Sequence, residues 1–254
     1  MQGWITPGWP APPKVRAVCT TRGGGVSVAP YDTLNLGDHV GDQAEAVAAN
    51  RNIFANRIAA RPVFLKQVHG WAVTALDAAT VDGCEADGCI TTTRGVACTI
   101  MVADCLPVLF TTIQGDAIAA SHAGWRGLAG EGGRGIVEAT VDALRNETKA
   151  DAGEVIAWLG PCIGPGAFEV GPEVKAAFES VDTQAGALFK AFREGKWLAD
   201  LQGLARLRLR RLGITSVHGN DGSDDWCTVT NSSHFFSHRR DRVSGRFAAA
   251  LWLA

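Results

Sequence analysis

The stretch that decides the fold runs from Ala97 to Gly127 and reads ACTIMVADCLPVLFTTIQGDAIAASHAGWRG. It holds three short runs of β-branched and apolar residues, at 97–102, 107–112 and 117–121, which predict three successive strands. The first two runs leave no room for a crossover helix between them. Because the last run is apolar at consecutive positions, we expect it to be covered on both faces. The stretch therefore predicts an α/β protein with a mixed sheet.

The rest of the chain mixes strand and helix signals without a regular order. Neither GxGxxG after a strand nor GxxxxGK followed by Ser or Thr occurs, so nucleotide-phosphate loops of those two types are excluded. The irregular order also argues against a TIM barrel or a simple Rossmann sheet. Since no linker or internal repeat is present, we expect residues 1–254 to form one α/β domain with a mixed sheet. Further strands are predicted at 15–20, 63–68, 72–76, 155–160, 215–218 and 246–253, and helices at 44–60, 135–145, 174–178 and 198–212.

The predicted helix at 198–212 carries a basic face. Arg206, Arg210 and Arg211 fall largely outside its apolar stripe. The simplest interpretation of that face is a solvated surface.

Composition and charge exclude several classes of partner. The 254 residues are 46% hydrophobic and 20% charged with a net charge of -2, so the chain lacks the clustered Lys and Arg that nucleic acids and anionic membranes attract. No run of 18 apolar residues is present, and the segment from Met1 to Thr6 lacks the pattern of a signal peptide. We expect a cytoplasmic protein that acts on small molecules, without nucleic-acid or membrane partners. The sequence does not indicate an oligomeric state.

Two histidines and one cysteine stand at or near predicted strand ends. His69, Cys105 and His122 are each followed within a few residues by Gly or Pro, as is typical where a strand gives way to a turn. Two imidazoles and a thiolate suit a divalent metal, and three protein ligands leave one tetrahedral position open, as in catalytic zinc sites. Their separations of 17 to 36 positions match no metal motif. From spacing alone, the commoner interpretation is two hydrogen-bonded histidines and a buried thiol that do not share a site. The other six of the seven cysteines are likewise expected to be buried thiols.

Seven motifs occur in order along the chain: TTRGGGVSVAPYDTLNLGDHVGD (20–42), LKQVHG (65–70), ADG (86–88), ADCLPVLF (103–110), HAGWRG (122–127), GPCIGPGAFEVG (160–171) and FFSHRRDRVSGR (235–246). Together they resemble the YfiH-like family, whose members have been called laccase-domain proteins, polyphenol oxidases, purine nucleoside phosphorylases and peptidoglycan editing factors. The resemblance runs from about Thr20 to Leu253, and ADCLP with HAGWRG is its most specific part. One departure is Phe168, which stands where the family often has Tyr.

The resemblance implies a fold, a metal and an activity. The fold would be a single-domain, layered α/β fold with mixed sheets, related to proteins described as cysteine hydrolases. The metal would be zinc held by His69, Cys105 and His122, with copper as an alternative or adventitious metal. The activity would be phosphorolysis of adenosine, inosine and S-methyl-5'-thioadenosine to the free base and ribose 1-phosphate, with adenosine deamination as a second activity.

Candidate catalytic and substrate-binding residues surround this cluster in the sequence. Asp104 adjoins Cys105 and is a candidate proton shuttle for deamination, although the HxE and PCxxC signature of known deaminases is missing; a hydrogen-bond acceptor or turn former is an equal alternative. Phosphate favours guanidinium and backbone N–H groups. Arg22 and Arg126 are therefore the preferred phosphate ligands, since both adjoin Gly-rich turns, and the alternative is that they bond carboxylates or carbonyls to hold loops. Asn35 and His39 would bind a sugar or organise their loop.

Three other functions stay open. Cys105 with His122 would suit a nucleophile and base of an amide hydrolase that edits peptidoglycan precursors. A copper-dependent polyphenol oxidase is a second alternative, but six histidines in the whole chain are too few for a multicopper centre, and Met101 is the only internal methionine for an axial ligand. A non-enzymatic, metal-stabilised binding module is the third.

Overall fold

The computed structural model describes residues 3–254, which form a single α/β domain with mixed sheets, as predicted. Met1 and Gln2, the first residues of the predicted domain 1–254, lie outside the described residues. The strands are β1 (Val15–Cys19), β2 (Arg61–Phe64), β3 (Val73–Ala75), β4 (Gly88–Thr91), β5 (Val96–Val102), β6 (Leu106–Thr112), β7 (Ile118–Ala123), β8 (Val155–Leu159), β9 (Glu169–Val170), β10 (Phe189–Arg193), β11 (Lys196–Ala199), β12 (Ser216–Gly219) and β13 (Phe247–Leu253). The helices are α1 (Ala44–Ile58), α2 (Trp125–Ala129), α3 (Ile136–Thr148), α4 (Pro172–Glu179), α5 (Leu201–Arg211) and α6 (His238–Asp241).

The largest sheet has six strands in the order β12-β8-β6-β7-β4-β3. Strands β6 and β7 form its centre as an antiparallel pair joined by a short turn, and β8 pairs antiparallel with β6. The outer pairs β12–β8 and β3–β4 are parallel. The sheet is therefore mixed, as the short connection between β6 and β7 requires.

A second sheet has four strands in the order β1-β13-β5-β2 and packs face to face on the first. Alternate residues along each strand divide between two apolar layers, so that Leu109 faces the other sheet while Val108 and Phe110 face the helices. In the same way Ala249 of β13 faces the six-stranded sheet and Ala248 faces α1. Both sheets are thus covered on each side, which explains their continuous apolar runs.

The layers follow from these contacts. Helices α3, α4 and α5 cover the outer face of the six-stranded sheet, and α1 covers the outer face of the four-stranded sheet through Phe54 and Ile58. A third sheet of three short strands, β10-β11-β9, lies beside α4. The result is a four-layer arrangement of helices, sheet, sheet and helix.

Four strands and two helices were not predicted from the sequence. Strand β4 is only four residues long, and β9, β10 and β11 carry few buried side chains. The predicted helix 198–212 begins three residues late, because Leu198 belongs to β11 and Asp200 caps the N-terminus of α5 by accepting from the Gly203 N–H. The segment Gly124 to Gly127, expected as a turn, begins α2, and α6 follows Ser237.

The basic face of α5 is only partly a solvated surface. Arg210 and Arg211 are exposed, as predicted. Arg206 donates to the carbonyls of Val217, Gly219 and Asn220, so it holds the end of β12 against the helix. The prediction of a solvated surface was wrong for Arg206, because the carbonyls at the end of an edge strand need hydrogen-bond donors. Across residues 3–254, the helices are all too short or too polar to cross a membrane.

Candidate metal centre

The three predicted ligands meet at one edge of the two sheets. His69 follows β2, Cys105 directly precedes β6 and His122 lies near the end of β7. Their ligand atoms all lie within 4.8 Å of one another, and the Cys105 Sγ is 3.7 Å from the His69 Nε2. His122 is buried, Cys105 is half-buried and His69 is exposed, so the cluster opens to solvent on one side. Among residues 3–254 it is the one group of three such ligands.

The sheet register explains why two of these residues meet. In the antiparallel pair, Pro107 lies opposite His122 and Leu106 opposite Ala123, which places Cys105 beside the end of β7. Gly124 must lack a side chain, because a Cβ there would lie 2.9 Å from the Cys105 Sγ and 2.9 Å from the His69 Cδ2. The glycine of HAGWRG thus allows the three ligands to approach each other.

Asp87 holds the cluster together and was missed as a functional residue. Its carboxylate is fully buried and accepts hydrogen bonds from the His122 Nδ1 at 2.8 Å and from the backbone N–H groups of Val68, His69 and Gly70. A carboxylate only accepts, so the His122 proton resides on Nδ1 and Nε2 faces the cluster. Asp87 therefore orients one ligand and fixes the backbone of another, as carboxylates beside metal-bound histidines do. The ADG motif at 86–88 was the available signal.

The charges of the cluster suit metal binding. Burial raises the pKa of the Cys105 thiol, but His122 and His69 outweigh this and lower the pKa to about 6. Burial lowers the pKa of His122, whereas the Cys105 thiolate and Asp87 raise it to about 9. For Asp87, burial raises the pKa, and hydrogen bonds from His122 and two backbone N–H groups bring it below its usual value. The thiolate, which is the form that binds metals, is therefore present at neutral pH.

The donor set of the cluster suits tetrahedral zinc, and one separation can be compared with that geometry. Ligand distances of about 2.3 Å to sulfur and 2.0–2.1 Å to nitrogen place sulfur and nitrogen about 3.6 Å apart in a tetrahedron. The 3.7 Å between Cys105 and His69 agrees with this spacing. Three ligands with one open side leave a position for a substrate atom, so the residues present fit a catalytic zinc ion.

Asp104 lies beside the cluster with both carboxylate oxygens in use. One accepts from the Thr228 hydroxyl and the other from the Arg239 backbone N–H, each at 2.6 Å. Asp104 also has a positive φ of 96°, which turns the chain sharply into Cys105. These bonds fasten the C-terminal loop to the cluster and favour the acceptor and turn-former role over the proton shuttle.

Arg22 and Arg126 differ in how their guanidinium groups are engaged. Arg22 donates to the carbonyls of Asp32 and Ser232 and to the Asp32 carboxylate, and it lies 4.9 Å from the centre of the Phe236 ring. This is the loop-holding alternative described above. Arg126 is exposed and lies over the Trp125 ring, with no side-chain hydrogen bond to any residue from 3 to 254. The phosphate role of either arginine stays a prediction.

Asn35 and His39 occupy the same loop in different ways. Asn35 is fully buried; its amide donates to Asp42 and the Gly37 carbonyl, and its oxygen accepts from the backbone of Gly37 and Arg246. Asn35 thus organises the loop. His39 is exposed beside Asp38, and its pKa is lowered by burial and by the charge of Arg246. The sugar-binding roles of both residues stay predictions.

The C-terminal segment supplies further arginines. Arg239 donates to the Glu169 carbonyl and lies over the buried Phe168 ring, so Phe168 serves packing. Arg240 donates to the carbonyls of Thr228, Val229 and Phe235 and to Asp241. Both arginines are therefore committed to holding the chain.

A groove of about 870 Å³ lies away from the cluster, between the N-terminal segment and the ends of β1 and β13. Its walls include Trp4, Trp9, Arg57 and Trp252, and it contains none of the predicted site residues. The size of a cavity therefore does not locate the chemistry here.

Comparisons with known proteins agree with the motifs. Residues 16–254 match the family model described as multi-copper polyphenol oxidoreductase laccase. A purine nucleoside phosphorylase of Pseudomonas aeruginosa is 48% identical over 254 residues, covering 100% of this chain and 99% of that protein. The purine nucleoside phosphorylase YfiH of Escherichia coli is 44% identical over 255 residues, with 100% of both chains covered.

Solved structures share the fold. A Neisseria meningitidis protein is 44% identical, with a TM-score of 0.92 over 99% of each chain. YlmD of Geobacillus stearothermophilus is 30% identical, with a TM-score of 0.89 over 99% of this chain and 96% of that one.

Proposed function

The chain belongs to the laccase-like YfiH family, and we propose that it is a zinc-dependent purine nucleoside phosphorylase. The observation that carries the proposal is the open cluster of His69, Cys105 and His122 in a chain similar over its whole length to proteins named purine nucleoside phosphorylase. The proposed substrates are adenosine, inosine and S-methyl-5'-thioadenosine. The products are the free base and ribose 1-phosphate, or its methylthio counterpart.

The residues of the cluster have separable roles in this proposal. His69, Cys105 and His122 would hold zinc, which when bound would supply a Lewis acid at the open side. Asp87 keeps the His122 Nδ1 protonated and its Nε2 directed to the cluster. Gly124 leaves the space that the ligands need. The exposed side of His69 is where a nucleoside has access.

Phosphorolysis needs little from the protein in the way of covalent chemistry. A phosphate oxygen forms a bond to C1' of the sugar, the glycosidic bond breaks, and the base leaves with the electron pair and takes up a proton. The protein must therefore place a phosphate and a nucleoside next to each other and offset the phosphate charge. An anion-binding group beside the cluster is the feature this reaction requires.

Adenosine deamination is the proposed second activity at the same cluster. It needs an activated water and a group that moves a proton between that water and the leaving amine. Asp104 was the predicted proton shuttle, but both of its oxygens accept bonds that hold the C-terminal loop. We therefore propose phosphorolysis as the principal reaction and deamination as the slower one.

A copper-dependent oxidase is the less supported alternative despite the family description. A multicopper centre needs a type 1 site and a trinuclear cluster, and the six histidines of the chain cannot supply both. Copper bound at the cluster would instead reflect the higher intrinsic affinity of copper for nitrogen and sulfur ligands.

An amide hydrolase is a second candidate function with a specific observation in its favour. The low pKa of Cys105 and the high pKa of His122 describe a thiolate–imidazolium pair, as in cysteine nucleophiles. Peptidoglycan precursors would be the substrates. This function would not need a metal, which separates it from the phosphorylase.

Product analysis tests the proposal directly. Wild type, Cys105→Ala and the control Cys84→Ala, whose thiol is partly buried outside the cluster, are incubated with adenosine with and without phosphate. We expect ribose 1-phosphate and adenine from wild type and Cys84→Ala only when phosphate is present, and neither product from Cys105→Ala. Inosine without phosphate would report deamination. Absence of ribose 1-phosphate from zinc-loaded wild type would contradict the proposal, and no turnover of any purine nucleoside would favour a binding module.

The cytoplasmic location stays a prediction.

A further inference from the structure

Arg246 lies between the loop 35–37 and the cluster. Its neighbour Phe247 pairs with Val102, three residues before Cys105, which sets Arg246 beside the chain that leads into the cluster. Its backbone N–H donates to the Asn35 side chain and its carbonyl accepts from the Leu36 N–H. Its side-chain stem packs on Gly37, where a Cβ would lie 2.7 Å from the Arg246 Cγ. The position of this arginine is therefore fixed from two sides.

The guanidinium of Arg246 has donors to spare. Nη1 donates to the carbonyls of Ser244 and Gly245, which fixes the plane of the group. Within the described part of the chain, no carboxylate pairs with it, and Nε and Nη2 donate to no protein atom. Both nitrogens keep some surface exposed to solvent. A partly buried cation without a carboxylate partner favours the binding of an anion, which offsets the cost of its lost hydration.

The surroundings of Arg246 place such an anion at the cluster. The pairing of Phe247 with Val102 brings Arg246 to the end of β5 that leads into Asp104 and Cys105. Burial lowers the pKa of Arg246, and the negative charges of Cys105 and Asp104 act on it in the opposite direction. The charge of Arg246 also lowers the pKa of His39, an exposed residue on the adjacent loop. Asp104 directs its two oxygens to the Thr228 hydroxyl and the Arg239 backbone N–H, and among residues 3–254 it forms no ion pair with Arg246.

The other arginines near the cluster do not offer the same combination. All three guanidinium nitrogens of Arg22 and of Arg240 donate to carbonyls and carboxylates that hold loops. Arg239 donates through Nη1 alone, to the Glu169 carbonyl, and lies over the Phe168 ring. Arg126 is exposed and lies over Trp125, which leaves it hydrated. Of the arginines compared, Arg246 is the one that joins partial burial, two unused donors and a guanidinium plane fixed by two hydrogen bonds.

We infer that Arg246 binds the phosphate co-substrate beside the His69–Cys105–His122 cluster, with its Nε and Nη2 donating to two phosphate oxygens. This inference rests on the proposed phosphorylase function. A planar guanidinium presents two parallel donors to an oxyanion, a geometry that fixes direction as well as charge. Arg246 would thus orient an oxygen of phosphate toward C1' of a nucleoside held at the open side of the cluster.

The test compares three variants of the zinc-loaded protein. Arg246→Gln removes the charge and the paired donors of the guanidinium, and Arg246→Lys keeps the charge alone. Arg242→Gln is the control, because it removes one charge from an exposed residue four positions away. Arg242 has a positive φ of 63°, and glutamine would have to adopt the same backbone conformation. We expect Arg246→Gln to raise the KM for phosphate at least tenfold with the KM for adenosine within twofold of wild type. We expect the KM for phosphate of Arg246→Lys to lie between those of wild type and Arg246→Gln, and that of Arg242→Gln to equal the wild-type value.

Binding is measured separately from turnover. The Tm of each zinc-loaded protein is followed against inorganic phosphate, with sodium chloride at matched ionic strength as the reference. We expect phosphate to raise the Tm of wild type, Arg242→Gln and, less, Arg246→Lys, and to leave that of Arg246→Gln unchanged. Zinc content near one per chain in every variant shows that the cluster is intact, and if Arg246→Gln does not fold, Arg246→Lys provides the comparison.

The outcomes separate this inference from the proposed function. If wild type forms ribose 1-phosphate while both Arg246 variants keep the wild-type KM for phosphate and the wild-type Tm response, the role of Arg246 is overturned and the phosphorylase stands. If wild type forms no ribose 1-phosphate, but its phosphate-dependent rise in Tm is lost in Arg246→Gln, the anion site stands and the phosphorylase is overturned. A loss in Arg242→Gln equal to that in Arg246→Gln would show general electrostatic attraction and overturn the site.

Discussion

The two sides of the candidate site satisfy their polar groups differently. On the cluster side, Asp87 accepts four hydrogen bonds and Asp104 accepts two, so every carboxylate oxygen is used. On the side of Arg246 and the loop 35–37, two guanidinium nitrogens of Arg246 have no partner among residues 3–254. On the cluster side, the polar atoms left to bind a ligand are therefore the ligand atoms of the two histidines and the cysteine.

This difference shows how each side would meet its ligand. The cluster is preorganised by bonds that are present before a metal binds, which keeps the cost of assembling the ligands low. On the loop side, the positive charge of the Arg246 guanidinium has no carboxylate partner among residues 3–254, and a bound anion would neutralise it. Unused bonding capacity, more than the size of a cavity, therefore marks the two places where we propose that ligands bind.

Removal of the metal should give the largest effect, because it empties the preorganised side. We expect a chelator-stripped protein to lose at least about 100-fold in phosphorolysis, since a Lewis acid contributes several kcal/mol to such reactions. One equivalent of Zn²⁺ should restore the rate, as measured by ribose 1-phosphate formation with metal content determined in parallel.

The same experiment distinguishes the amide hydrolase. Activity that persists in the stripped protein but ends on alkylation of Cys105 would support a cysteine nucleophile and contradict the metal-dependent phosphorylase. Cys84→Ser is the control for alkylation outside the cluster.

Asp87→Asn should weaken the preorganisation without removing a ligand. Asparagine has one oxygen acceptor in place of two, so several of the four donors lose their partner. We expect metal affinity to fall about 10–100-fold, as for other residues that orient metal-bound histidines, and the free energy of unfolding to fall by about 3 kcal/mol. Competition with a chromophoric chelator and denaturant unfolding measure the two effects.

The control for Asp87→Asn is Asp116→Asn. Asp116 is exposed, far along the sheet from the cluster, and also accepts a hydroxyl and a backbone N–H. Equal metal affinity for Asp87→Asn and wild type would show that Asp87 does not orient His122 in the metal-bound protein.

The sequence predicts the cluster side better than the loop side for physical reasons. Cys105 and His122 flank two apolar strands separated by a short turn, so local pattern alone brings them to one edge. Asp87 acts on His122 and on three backbone donors from another segment, and only folding creates those contacts. Gly-rich neighbours suggested Arg22, but its carbonyl and carboxylate partners lie in two other loops.

Secondary structure shows the same division. The central strands β5, β6, β7 and β8 are buried on both faces, and the strands of the two large sheets other than β4 were predicted with shifts of a few residues. Strand β10 (Phe189–Arg193) has a single buried residue, so its sequence carries little apolar signal. Edges and loops depend on contacts between distant segments, which periodicity does not contain.

Asp104→Asn should have a moderate effect that separates its two interpretations. Asparagine keeps one acceptor oxygen and loses one bond, to Thr228 or to the Arg239 backbone. We expect the free energy of unfolding to fall by about 1–2 kcal/mol and the rate of each reaction to fall less than tenfold. A loss of deamination of 100-fold or more with phosphorolysis retained would instead identify Asp104 as the proton shuttle.

Arg22→Lys should give the smallest effect on the reaction and so sharpens the contrast with Arg246. Lysine cannot keep the bonds to Asp32 and Ser232 together, so the free energy of unfolding should fall by about 1–2 kcal/mol. The KM for phosphate should stay within twofold of wild type, because the Arg22 donors are already used inside the protein. Denaturant unfolding and phosphate titrations of Arg22→Lys, with Arg242→Gln as control, measure both quantities. A tenfold rise in the phosphate KM of Arg22→Lys would mean that its guanidinium leaves Asp32 to bind phosphate, and the unused donors of Arg246 would then no longer mark the anion side alone.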